Sequence, residues 1–592
     1  MNASTQHDFI VTDKTFRDQQ QCDVLVIGSG AGGLSTAVTA AAQGLDVIVA
    51  EKATVFGGTT AVSGGWLWIP NTPHAKKAGK AEPINVPKQY LKNVLGDQYD
   101  EQKIHTYLTK APEMVDFFEK STDVKFNIGA AVPDFFNIEG SRVGWRSIVA
   151  APFDGRKLGK NLHLLKPAIP ETTVWGMGIA SGVDMKHFIN TFNALSSFIY
   201  ATKRVLRHFI DLLFRHRSTQ IVNGNALVAR LLKSALNHKV KLCSNHSAIQ
   251  LIYEQNCVVG AIFNTPKGRV KILARQGVVL ATGGFPHDEK RKQQLFQHVA
   301  LGTPHYSAAP ETNTGDGLKL AESVGASVCD NLPWSGAWAP VSLMPRLDGT
   351  LGRFPHLVER GKPGLIAVLP NGKRFTNEGD SYPSFVKDLF KHTMKGDLNR
   401  CWLICDHKFI RRYGLGAVKP FPISMQPWLE NGYLKCADSI EALAEVCGIQ
   451  ADVFRSTVKN YNSFAQNGTD PEFHRGTTPY QKAQGDAEHH PNPCIAPIEK
   501  APFYAVEIVP GSLGTFAGLN TDCKARVLDK DTQQPIQGLY AVGNDMNTIM
   551  GGQYPSGGIT LGPAMTFGFI VGQHLAQHAK LNSDKQKMDG KR

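Results

Sequence analysis

Residues 22–51 read CDVLVIGSGAGGLSTAVTAAAQGLDVIVAE, and this stretch decides the fold. CDVLVIG is a near-continuous apolar run, as a strand covered on both faces requires. It enters a Gly-x-G-x-x-Gly turn at Gly28, Gly30 and Gly33, with Ser29 and Ala31 between the glycines. A helix of small residues follows to Gly44, and a second apolar strand closes on Glu51. Gly28 makes the tight turn, Gly30 lets the backbone approach a pyrophosphate, and Gly33 lets helix and strand pack closely. The N–H groups at the helix start face the phosphates, and Glu51 can accept from a ribose diol. The reading is an α/β, Rossmann-type dinucleotide-binding fold.

Three further blocks share this glycine-rich character, the last of them followed by a C-terminal stretch. Lys52 leads into Gly57, Gly58, Thr59, Thr60, Ser63, Gly64 and Gly65. LATGGF carries Ala281, Thr282 and Gly283, and GLYAVGN ends on Gly543 and Asn544. GGQYPSGGITLGPAMTFG starts at Gly551 and contains Tyr554, Ser556, Gly558, Ile559 and Leu561. The four blocks, in this order across nearly the whole chain, resemble the fumarate reductase and 3-ketosteroid dehydrogenase flavoproteins. The resemblance implies FAD as cofactor, lying along all four blocks. Some members attach it through a His in the first Gly/Thr segment; no His lies between Gly57 and Gly65, so non-covalent FAD is expected.

The same resemblance implies the chemistry. In 3-ketosteroid dehydrogenases a Tyr and a backbone N–H four residues later hold the ketone oxygen; those positions are Tyr554 and Gly558. Such donors form an oxyanion hole, since taking a proton beside a ketone builds charge on its oxygen. Tyr382, in RFTNEGDSY, lies at the position of the family's catalytic Tyr. A phenol is a poor base at neutral pH and needs a positive dipole, a second hydroxyl or compensated desolvation. Δ1-dehydrogenases carry a further assisting Tyr, and the matching stretch here, VPDFFNIEG, offers Phe135 and Phe136 instead. Ser556 resembles the Tyr-x-Ser arrangement of the Δ4-(5α)-dehydrogenases, and is read either as a ketone-binding hydroxyl or as a turn residue. Fumarate reductases clamp a dicarboxylate with His and Arg. LGTFAGL holds no His and QYPSGG no Arg, which argues against that activity. The expected substrate is a 3-ketosteroid or similar hydrophobic cyclic ketone, with Δ1 favoured over Δ4 and a quinone or other acceptor taking the electrons. An alternative of another class is a membrane-associated flavoprotein that delivers electrons to a partner.

The spacing of the blocks organises the chain. The FAD-binding domain is discontinuous, 20–302 and 500–580, with an α+β catalytic domain inserted at 303–499 and tails at 1–19 and 581–592. Within the first part, 186–217 reads KHFINTFNALSSFIYATKRVLRHFIDLLFRHR, with apolar residues at a helical period and six Lys/Arg against Asp211. A basic amphipathic helix suits an anionic membrane surface; the other reading is a packed helix with a solvated basic face.

Composition bounds the rest. Hydrophobic residues at 42% of 592 residues supply a large core and exclude a disordered chain. The net charge of +13 raises nucleic acid, membrane or acidic ligand as partners. The basic cluster is amphipathic rather than interleaved with exposed aromatics, so nucleic acid is not expected. Ten Cys with no Cys-x-x-Cys pair point to a reducing compartment and to no metal site. No signal pattern and no run of 18 apolar residues is seen. The expected location is cytoplasmic, peripheral on the inner face of the membrane if the basic segment docks.

Overall fold

The computed structural model describes residues 18–180, 183–346, 348–393 and 399–589. An eight-stranded sheet forms the first layer. The strand Asp18–Ile27 lies between Val47–Ala50 and Gly268–Leu280, parallel to both, and Pro535–Ala541 adds in parallel on the far side of Gly268–Leu280. The register sets Ile27 beside Ala50 and Leu280, and Leu280 beside Ala541. Four strands drawn from both ends of the chain therefore finish at one edge. The segments that follow them, at Gly28, Glu51, Ala281 and Val542, meet there, which is where ligands bind in open α/β sheets.

The helix Ala31–Ala42 leaves that edge and is buried over most of its length, as its Ala, Gly, Ser and Thr content allows. Its approach depends on two glycines. Gly28 has φ +105°, and a Cβ there would stand 2.1 Å from the Ala281 carbonyl oxygen; a Cβ on Gly33 would stand 2.1 Å from the Gly28 oxygen.

A seven-stranded, mostly antiparallel sheet forms the second unit, including Gly336–Pro345, Leu365–Val368, Cys401–Cys405 and Phe503–Thr515. The last of these corrects the sequence boundary at 499. Phe503–Thr515 pairs with Gly336–Pro345 and with Cys401–Cys405, so the second unit's sheet runs on to Thr515. The sequence placed this strand with the segment after it because both are apolar and glycine-rich, and pairing partners are invisible in one strand. The expected tails lie mostly outside the described residues. Within them, Asp18 and Gln19 already belong to the first strand, and 581–589 continue the helix Leu561–Asp589.

The basic segment forms two helices, Val183–Ile189 and Leu195–Arg215. The second is inverted relative to an ordinary packed helix. Its buried residues are Ser197, Ala201, Arg204, His208 and Asp211. Its large apolar residues face out: Leu195 and Phe214 are each 75% exposed and Leu213 73%, and Phe198, Ile199, Leu206, Phe209 and Ile210 are also exposed. Polar bonds hold the inner face. Arg204 pairs with Asp184 at 2.5 Å, His208 bonds the Trp175 carbonyl, and Asp211 accepts from Thr219. The helix therefore packs through a polar face and exposes a face that is apolar as well as basic. Among the described residues, no helix is long and apolar enough to cross a membrane.

Candidate active site

At the sheet edge the glycine turn, the acid and the second Gly/Thr segment interlock. Ser29 donates to Glu51 Oε2 from its backbone N (3.1 Å) and its hydroxyl (2.6 Å), and Ala53 N donates to Oε1 at 2.9 Å. The Gly57 N–H donates to Ser29 Oγ at 2.9 Å. The Gly30 position before the helix provides no side-chain cap, and only Thr60 Oγ1 meets this end, accepting from Ala31 N at 2.9 Å. The helix start thus offers backbone donors to a phosphate. Lys52 lines the cavity at this edge. Its ammonium is engaged by Asp316 (2.6 Å) and Thr314 (2.8 Å), so it ties the strand end to a neighbouring turn.

Asp545, one residue beyond the GLYAVGN block, was missed in the sequence. It is fully buried and accepts from Thr282 N (2.5 Å), Thr282 Oγ1 (2.9 Å) and Gly284 N (2.8 Å). Burial pushes its carboxyl up, while those bonds oppose the shift. Asp545 joins the third and fourth blocks through side-chain bonds that no motif signals. Asn313, also missed, bridges the Thr59 hydroxyl and the Gly283 carbonyl.

These residues line one cavity of about 940 Å³ that continues to Tyr382 and Tyr554. Gly28, Ser29, Gly30, Ala31, Glu51, Lys52, Gly58, Thr59, Thr60, Ser63 and Gly64 line it from the first two blocks. Ala281, Thr282, Gly283, Gly543, Asn544, Gly558 and Leu561 line it from the others. Three expected residues do not. Gly33 acts in packing, as described above. Ile559 is buried beside a separate small cavity. Ser556 is buried and its hydroxyl has no hydrogen-bond partner among the described residues. The Pro555 carbonyl before it is clamped by Phe135 N (3.0 Å) and the Tyr90 hydroxyl (2.5 Å), which holds this turn in the protein. Ser556 itself lies outside the cavity lining.

The other half of the cavity is a cluster of rings. Tyr382 and Tyr554 meet edge to face at 5.1 Å between centroids. Phe135 packs on both, at 5.5 Å and 5.7 Å, and on Tyr480 at 4.6 Å. The Tyr382 and Tyr554 hydroxyls are hydrogen-bonded to one another, and Thr560 bonds the Tyr554 oxygen. Burial pushes the Tyr382 phenol well above its ordinary range, and Tyr554 and Tyr480 add to this, while Arg360 acts in the opposite sense. Burial likewise raises Tyr554, against these two bonds. Tyr382 is the first residue of the helix Tyr382–His392, behind the N-cap Ser381. Its phenol is thus attached at the positive end of a helix dipole. Gly558 has φ +100°, and a Cβ there would lie 2.7 Å from the Leu67 backbone. Only glycine brings this stretch so close to the strand Trp66–Trp68. Tyr480, which shares the cavity, was also missed; it sits in PYQKAQ, where nothing local marks it.

A glycine-lined sheet edge continuous with a buried phenol pair defines a FAD-dependent oxidoreductase. A profile of the FAD binding domain family matches residues 23–561, and the uncapped helix start, the close glycines and the anchored Glu51 fit that cofactor. The chain is 37% identical over 559 residues to 4-oxocyclohex-2-ene-1-carboxylate 5-dehydrogenase of Sinomonas cyclohexanicum, covering 94% of each. It is 35% identical to 3-oxosteroid 1-dehydrogenase of Mycolicibacterium smegmatis, over 95% of this chain and 98% of the relative. The crystal structure of 3-ketosteroid Δ1-dehydrogenase from Sterolibacterium denitrificans, in complex with 1,4-androstadiene-3,17-dione, superposes with a TM-score of 0.85. The two are 33% identical, with 94% and 100% of the chains covered. The protein belongs to the 3-oxosteroid 1-dehydrogenase family of FAD-dependent enzymes, which act on CH–CH groups.

Proposed function

We propose that this enzyme dehydrogenates a 3-ketosteroid or similar hydrophobic cyclic ketone, with Δ1 favoured and Δ4 as the alternative product. The observation that carries the reading is the hydroxyl pair Tyr382–Tyr554 at one end of a cavity whose other end is built for FAD. Bound FAD supplies the hydride acceptor. The Tyr554 O–H donates to the ketone oxygen, and the Gly558 N–H is the second donor for the enolate charge. Tyr382, having first lost its own proton to solvent, takes the proton from the adjacent carbon as its phenolate and so becomes the neutral phenol. The electrons leave to a quinone or another acceptor.

Substrate charge separates a steroid from an oxocyclohexane carboxylate. The Lys residues lining the cavity among the described residues, Lys52 and Lys166, both belong to the Glu51 end. Around the phenols the lining includes Val132, Pro133, Leu357 and Leu513. Arg360 is not part of the lining, so a carboxylate there would have no direct ion-pair partner, which favours the neutral ketone. Anaerobic incubation with 5α- and Δ4-3-ketosteroids and with 4-oxocyclohexanecarboxylate, followed by mass spectrometry and NMR of the products, tests both points. Turnover of the carboxylate alone overturns the steroid reading.

Phe135→Tyr tests the departure from the Δ1 pattern. The ring already packs on both phenols, so an added hydroxyl enters the cluster. The ratio of 1,2- to 4,5-dehydrogenation should rise; an unchanged ratio rejects position 135 as the site of the assisting hydroxyl.

The outward apolar ridge supports monotopic docking on an anionic membrane. Trp175, 59% exposed, packs beside Phe209, and Phe192 beside the exposed Phe421, which widens the ridge beyond one helix. Arg204 is buried with Asp184, so the cations left exposed on the segment are Lys186, Lys203 and Arg215. Each contributes about 1 kcal/mol near an anionic leaflet, whereas a fully buried Leu or Phe side chain contributes about 1.5–3 kcal/mol. Insertion therefore outweighs charge. The protein should sediment with phosphatidylcholine–phosphatidylglycerol vesicles at low salt and be weakened, not released, at high salt. Leu213→Glu with Phe214→Glu should abolish sedimentation; equal sedimentation of this variant rejects the ridge as the docking face.

A further inference from the structure

Behind Tyr382 lies a buried guanidinium with no carboxylate of its own. Arg360 is 1% exposed and donates to three backbone carbonyls: His356 (2.9 Å), Glu378 (3.0 Å) and Asp380 (3.2 Å). Two of these belong to the turn that runs directly into Tyr382. The guanidinium also lies 5.0 Å from the ring of Phe385, on the Tyr382 helix. The position of Tyr382 is thus fixed from beneath by one cation.

The neighbouring charges are claimed by others. Glu378 is held by Arg374 (2.8 Å) and Arg475 (3.2 Å), and Asp470 by Arg374 (2.8 Å). Glu359 pairs with His356 at 2.6 Å. The Asp380 carboxyl accepts from Gln481 at 2.6 Å, and burial pushes it up, towards the neutral form. Arg360 makes no ion pair with an acid among the described residues, although Glu359 and Asp380 act on it from a distance. A guanidinium stays protonated even when buried, so its charge acts on the nearest polarisable groups.

Those groups are phenols. Tyr480 is 4% exposed, shares the cavity with Tyr382 and Tyr554, and packs on Phe135. Gln484 donates to its oxygen, and Gly361, next to Arg360, abuts the Gln484 side chain. Burial pushes Tyr480 up to about 12, and Arg360 is the largest influence in the opposite direction; Asp380 and Tyr554 add to the rise. Arg360 also opposes the rise at Tyr382.

We propose that Arg360 is a positioning residue for the base: it holds the turn that carries Tyr382 and supplies the positive potential that favours the Tyr382 phenolate. This rests on Tyr382 being the base. A cation in a low-dielectric site favours the ionised form of a nearby acid, whereas Tyr480 acts on Tyr382 in the opposite sense.

The test separates proton abstraction from hydride transfer. Holoenzyme reduced with dithionite is mixed with androst-4-ene-3,17-dione in D₂O, and deuterium entering beside the ketone is followed by mass spectrometry from pH 6 to 10. Steroid affinity, FAD content and melting temperature are measured alongside. Arg360→Met should exchange at least about tenfold more slowly at neutral pH, with its profile displaced to higher pH by about one unit. Arg360→Lys should restore most of the rate, and Tyr480→Phe, which removes a group that raises Tyr382, should not shift to higher pH. A wild-type profile in Arg360→Met overturns the proposal. Should Arg360→Met not fold, Arg360→Gln, which keeps donors for the backbone carbonyls but not the charge, decides by the same profile. Exchange in Tyr382→Phe at the wild-type rate overturns the base assignment itself, a result distinct from failure of Arg360.

Discussion

Tyr382→Phe should slow anaerobic reduction of the flavin by a 3-ketosteroid by about a hundred- to ten-thousandfold, the range general-base catalysis supplies. The phenyl ring keeps its contacts with Phe135 and Tyr554, so FAD content and folding should not change. In the wild type, the Tyr382 phenol is held well above its ordinary range by burial first and Tyr554 second. At neutral pH little phenolate is present, so the rate of flavin reduction should climb with pH towards the alkaline limit of stability. In Tyr382→Phe the residual rate should lose this dependence. Stopped-flow bleaching of the FAD absorbance from pH 6 to 10 measures both effects; a wild-type rate in the variant places the base elsewhere.

Tyr554→Phe should lower the same rate by roughly ten- to a thousandfold, through loss of one oxyanion donor. Its pH dependence should move the other way from that of a simple donor loss. Tyr554 adds to the rise at Tyr382, in part through the hydrogen bond between the two hydroxyls. Removing the hydroxyl lowers the cost of ionising Tyr382, so the alkaline rise should begin at lower pH while the plateau falls. A variant with the full wild-type rate loses the ketone clamp; one with a lower plateau and an unmoved onset shows that the two phenols are not coupled.

Much of this arrangement was legible in the sequence where local backbone chemistry dictates it. The glycine turn, the small-residue helix and the acid at Glu51 each have a spacing set by a phosphate or a ribose, and the four blocks fall at four neighbouring strand ends. Residues that act across the fold left no such trace. Arg360, Tyr480 and Asp545 come from separate segments and are brought in by tertiary packing, where residue type alone gives no direction. Ser556 shows the converse: a motif-like neighbour of Tyr554 is held out of the cavity by a clamp on Pro555 that begins at Phe135 and Tyr90. The strand Phe503–Thr515 was assigned to the wrong unit because its pairing lies with strands a hundred or more residues earlier. The helix Leu195–Arg215 shows the limit of periodicity. The period revealed two faces, and only the buried polar anchors at Arg204, His208 and Asp211 reveal which one is inside.

That inverted helix changes what substrate concentration means for the enzyme. Tyr200 and Asp184, on and beside the polar inner side of the segment, also line the cavity that reaches the phenols. On the proposed docking, an enzyme seated on this ridge samples ketone by surface density rather than by amount per litre. At constant total steroid, adding inert lipid thins the two-dimensional supply and slows turnover, and compacting the lipid phase raises it, with no change in any residue of the active site.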